Sequence, residues 1–255
     1  MTQTVLPPVI PANPSKEVQL NALAERYRSA SGIGMQVVNM LGAQAEGLLD
    51  KLPAPARKGL DAATLQALEL SFSAAEASRA RLPDTGHWLT RAVTAATGAA
   101  GGFGGVTTSL AEVPVTTTVM LRAIQAIAAE YGFDPADPDT RADCLRVFAA
   151  AGPMEEDDGT DLSFLTLRAS VTGATLQGLI NTIAPRLAAT LGRKLAAQMV
   201  PVLGAVSGAA INYAFTSYYQ DIAHVQFGLR KLAEETGHDR SALIAEFVEI
   251  VRSRK

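Results

Sequence analysis

The residues best suited to chemistry in this sequence lie late in the chain. Asp221-Ile222-Ala223-His224 and Glu235-Thr236-Gly237-His238 each place a carboxylate three positions before a histidine. That spacing sets both side chains on one helical face, and di-metal bundles use it together with two further inward glutamates. The second copy straddles Gly237, an expected helix end, which leaves Asp221 and His224 as the pair. With Asn212, on the same expected helix, they form the candidate polar site for a ligand or metal. A histidine hydrogen-bonded to Asp221 explains the same pattern without a ligand, so no metal ion, cofactor or catalytic residue is assigned.

Other motifs lack their context. Asp84-Thr85-Gly86 spells an aspartic-protease triplet, but that chemistry needs two carboxylates sharing a proton, and turn chemistry explains this one. His87-Trp88 at a helix start reads as an interface anchor rather than a catalytic pair. The run Gly98 to Gly105 has no Lys-Ser or Lys-Thr after its last glycine and no preceding strand, so it is neither a P-loop nor a dinucleotide turn. Cys144 sits among apolar neighbours on a short expected helix and reads as a small packed residue.

The elements that must position these residues are helices. Ser15 caps a first helix with an apolar seam from Leu20 to Leu48, expected to end before Pro53. A second runs from about Pro55 to Arg81, and a third from His87 to Thr97. Ser109 and Glu112 match a capping box, with Pro114 just inside the expected helix start. That helix shows Val113, Met120, Ile124, Ile127 and Tyr131 on one face and ends at Gly132. After the Asp-Pro turns at 134–139 comes a short helix over about 140–151, then helices over 161–182, 185–199 and 202–236, punctuated by Pro185 and Pro201.

The 202–236 helix carries a seam of Ile211, Phe215, Tyr218, Ile222, Val225, Leu229 and Leu232, stepping by three and four, which predicts a partner helix along it. Gly204 and Gly208 begin that seam, and Gly98, Gly101, Gly102 and Gly105 form a second set, so both are expected to let backbones approach closely. Asp239 caps a closing helix with an apolar stripe of Leu243, Ile244, Phe247, Val248 and Val251. No segment alternates with period two. The expectation is an all-α, compact multi-helix bundle with glycine-rich central helices, as a single domain over 16–255 preceded by a flexible N-terminal arm over 1–15.

Composition narrows the function. A chain of 255 residues with net charge −3 and no long basic run lacks the footprint of a nucleic-acid binder. One cysteine excludes an internal disulfide and suits a reducing cytoplasm. The arm holds four prolines and no basic residue, unlike a secretory signal. Ala92–Ala111 and Leu195–Gln220 are uncharged and long enough to span a bilayer, but their glycine and polar content makes them weak spans and better central helices.

The stretch from Ala92 through Gly152 and the segment Pro201 to Asn212 resemble the EcsC family. The residues that carry the resemblance are the glycine-rich turn, Glu112 and Pro114, the run Ile127 to Pro135, and Ala223-His224-Val225-Gln226-Phe227. It covers roughly Leu52 to Thr236. The family is named for a protein encoded beside an ABC transporter, so the resemblance implies a cytoplasmic or membrane-associated protein and brings no defined reaction. The leading expectation is a non-enzymatic helical protein that binds a lipid, a membrane surface or a membrane-protein partner through its small-residue helices, cytoplasmic or peripheral at the inner face of the membrane. The alternatives are an enzyme, hydrolytic or metal-dependent, with its site near Asp221 and His224, and a structural homo-oligomer joined through an exposed apolar stripe on the last helix.

Overall fold

The computed structural model describes residues 14–41, 59–71, 105–150, 152, 162, 165, 176–198 and 204–253. Among these, α1 spans Lys16–Leu41, α2 residues 59–71, α3 Gly105–Glu130, α4 Pro138–Val147, α5 Leu176–Gln198, α6 Gly204–Thr236 and α7 Arg240–Ser253. No strand occurs among the described residues, and the chain is all-α.

The helix ends follow local chemistry. Ser15 Oγ accepts from Val18 N at 3.4 Å at the start of α1. Asp137 accepts from the backbone N–H groups of Asp139 and Thr140, at 3.1 and 3.0 Å, with Pro138 in the first turn of α4, where its missing N–H costs nothing. Asp239 does the same for α7 through Ser241 N and Ala242 N, at 2.8 and 3.1 Å. α3 closes on Gly132 at φ +88°, with Gly132 N donating to Ala129 O and Phe133 N to Ala128 O. That is the Schellman arrangement, and only a residue without Cβ takes this φ freely.

α6 is the axis of the bundle. It packs against α1, α3, α4, α5 and α7, and its most extensive contact is with α1. The expected seam is buried at every position from Ile211 to Leu232, and α1 is the partner helix. Burial extends past the seam: between Ile211 and Leu229 only Tyr213 is exposed, while Asp221 and His224 are half-buried. α3 is likewise interior on more than its expected face, since Leu121, Ala123 and Gln125 are buried with Ile124 and Ile127. Leu145, Phe148 and Cys144 fill the space under α4.

Three expectations are corrected. The capping box at Ser109 does not start a helix: α3 begins at Gly105 and continues through Pro114, whose carbonyl accepts from Thr118 Oγ1 at 2.8 Å. A local cap pattern lost to tertiary packing, because Val113, Thr116 and Thr117 on either side of Pro114 are buried. Pro185 is not a boundary either, and α5 runs unbroken across it. Finally, the apolar stripe of the last helix is not exposed. Leu243, Ile244, Phe247 and Val251 are buried, and Phe247 meets Tyr27 of α1 edge-on at 6.1 Å between ring centroids. Each such side chain contributes roughly 1.5–3 kcal/mol when fully buried. Residues 1–13 of the expected arm, the helix expected at 87–97 and Pro201 lie outside the described residues.

Candidate functional site

Asp221 and His224 share a face of α6, one turn apart, at the point where α1 and α3 meet it. Asp221 Oδ1 pairs with Arg26 Nη1 of α1 at 3.4 Å. His224 Nδ1 lies 3.4 Å from the Tyr131 hydroxyl at the end of α3, with the two rings edge-on at 5.8 Å. Burial pushes the Tyr131 hydroxyl above its ordinary pKa, Arg26 opposes this, and Glu130 reinforces it. The phenol therefore stays protonated at neutral pH. Asn212 does not join the group. Nine residues of helix place it about 13.5 Å away along the axis and on the opposite side, where it is fully buried. Among the described residues no three His, Cys, Asp or Glu side chains gather in a way that could hold a metal ion.

The band formed by Arg26, Tyr131, Asp221 and His224 marks a boundary in charge. The Arg26–Asp221 pair and the approach of Gly228 to Leu23 show that α1 and α6 run antiparallel. Beyond Arg28, α1 has no charged residue from Ser29 to Leu41, and α6 has none from Gly204 to Gln220. The two uncharged halves therefore lie side by side at one end of the bundle, over about 20 Å of helix. Among the described residues, Tyr213, 44% exposed, is the large apolar side chain that α6 shows to solvent there.

Of the packing glycines, Gly105 opens α3 and Gly204 and Gly208 lie in the first turns of α6, while Gly98, Gly101 and Gly102 fall outside the described residues. The close approach of α1 to a glycine of α6 is at Gly228. A Cβ there would stand 2.6 Å from Leu23 Cδ2. Sequence reasoning missed it because it sits between seam positions amid larger residues.

A second constellation, also missed, surrounds Asp143 on α4. Its carboxylate is almost wholly buried and receives five N–H contacts. Arg146 Nη1, Gln226 Nε2 and Arg240 Nη2 donate to Oδ1 at 2.7, 2.8 and 3.2 Å. Arg230 Nη1 and Arg240 Nη1 donate to Oδ2 at 3.2 and 3.3 Å. Arg230 also donates to Glu234 at 3.2 Å and lies over the Phe133 ring at 4.0 Å. Burial alone would raise the Asp143 carboxyl, but Arg240 and then Arg146, by charge and hydrogen bond, outweigh it and hold the pKa below the ordinary value. One signal was available in the sequence. Thr140, Asp143, Cys144 and Val147 repeat with helical spacing on the buried face of α4, and a carboxylate on such a face needs cations brought from elsewhere.

A family model described as the EcsC protein family matches residues 78–232, more than half of the chain. Neither the curated proteins nor the solved structures give a match.

Proposed function

The chain belongs to the EcsC family, and we propose that it is a non-enzymatic helical protein that binds a lipid surface, or a protein embedded in one, at the inner face of the membrane. The observation that supports this reading most is the pairing of two charge-free helix halves at one end of the bundle, bordered by Arg26, Arg28, Tyr131 and Asp221. Paired uncharged helix halves with charged and aromatic residues behind them are a distribution that suits an interfacial protein, because apolar groups enter the headgroup region while charges stay wet. No helix among the described residues is long and apolar enough to cross a membrane, so the contact proposed is peripheral. Tyr213 is the side chain placed to enter first, its ring apolar and its hydroxyl able to remain hydrated.

Vesicle flotation tests the reading. The protein is expected to float with liposomes, and Tyr213→Glu, a change at an exposed position, is expected to lower the floated fraction at least about fivefold with the far-ultraviolet circular dichroism unchanged. If no lipid composition, anionic or neutral, retains the protein and purified material carries no extractable lipid, the lipid-surface reading fails.

A further inference from the structure

Among the described residues, the cluster around Asp143 holds more positive charge than the carboxylates paired with it neutralise. Three guanidinium groups meet one buried carboxylate, and Glu234 balances only Arg230. A carboxylate offers about four lone-pair sites, and Asp143 already takes five N–H contacts, so it cannot accept more. The surplus falls on Arg146 and Arg240. Both lie on Asp143 Oδ1, which forces two like charges close together. Arg146 uses one donor atom and Arg240 two, and the Nε–H of each is buried with no acceptor among the described residues. Their side chains are 13% and 20% exposed, so part of each meets solvent although the Nε–H does not.

We propose that Arg146 and Arg240 form a binding site for an oxyanion of the phosphate class, held in position by Asp143. A phosphate group supplies what the cluster lacks: negative charge, and several acceptor oxygens in the planar fork geometry that guanidinium groups match. Asp143 acts as a positioning residue. Its carboxylate keeps both arginines at the end of α4 and the first residue of α7, while the Phe133 ring covers one face of Arg230. The site is independent of the charge-free end, since Tyr213 and Arg230 are about 26 Å apart along α6.

The test uses the full chain and two probes, inorganic phosphate and vesicles containing phosphatidic acid. In thermal unfolding, phosphate is expected to raise the midpoint progressively with concentration relative to sodium chloride at equal ionic strength. Arg146→Gln is expected to weaken that response at least about tenfold. Phenylglyoxal labelling of the unmutated protein, read by mass spectrometry, checks the same point where the variant fails to fold, because bound phosphate should protect Arg146 and Arg240. Protection by phosphate identifies a free anion as sufficient, and protection by phosphatidic acid vesicles alone identifies a lipid headgroup as the source. Equal stabilisation by phosphate of the Arg146→Gln variant, or no protection by either probe, overturns the proposal.

Discussion

Asp143 releases its proton more readily in the folded chain than in the unfolded one, because Arg240 and Arg146 outweigh its burial. The stability this contributes is fully present above the ordinary carboxylate pKa and is lost as pH falls through that range toward the lowered folded value. Urea unfolding across a pH series is expected to show a plateau above about pH 5 and a decline below it. Asp143→Asn should remove that part of the decline and lower stability at neutral pH by about 3–5 kcal/mol, since it leaves buried cations without their anion. Two glycines separate conformational strain from crowding. Gly132 and Gly152 both have positive φ, but a Cβ at Gly132 meets open space, while one at Gly152 would stand 2.3 Å from Thr190 Cγ2. Gly132→Ala is expected to cost about 1–2 kcal/mol and Gly152→Ala about 2–4 kcal/mol in denaturant unfolding.

Helix termini and seams were legible in the sequence because their signals are local. Ser15, Gly132 and Asp239 each act within a few residues of themselves, and the α6 and α7 stripes announce their buried faces by spacing alone. The prolines were misread because their effect depends on what surrounds them. Pro114 lies near buried Val113, Thr116 and Thr117 and Pro185 near buried Ile183, Ala184 and Leu187, and that packing outweighs the lost backbone hydrogen bond. Pro185 is itself exposed, so Pro185→Ala is expected to stabilise the chain by about 1–2 kcal/mol, read as a rise in the thermal midpoint. Phe247→Ala should cost about 3–5 kcal/mol in the same measurement, because it opens a cavity beneath Tyr27. The partners of Asp143 stayed hidden for the opposite reason. Arg230 and Arg240 lie 87 and 97 positions away, and no local rule connects them.

At the scale of the bundle, the packing of α1 against α6 divides the charge of these two helices. Neither helix is uncharged throughout, and the division arises only because they run antiparallel, which no single segment reveals. The proposed membrane contact therefore has a direction. In a Cys144→Ser background, an environment-sensitive dye at Tyr213→Cys is expected to shift to the blue on vesicles, while the same dye at Glu249→Cys, on the exposed face of α7, is not. Equal shifts at both positions would show that the chain binds without that orientation.

Cys144 is the one thiol in the chain, wholly buried and adjacent to Asp143. The protein thus carries an intrinsic clock for the opening of α4. When reclosing outruns modification, the rate at which a small thiol reagent labels the native protein measures the fraction of time this helix spends lifted from the core. Any ligand that fastens α4 to α7 should slow that reaction in proportion to its occupancy, with no label added and no residue changed.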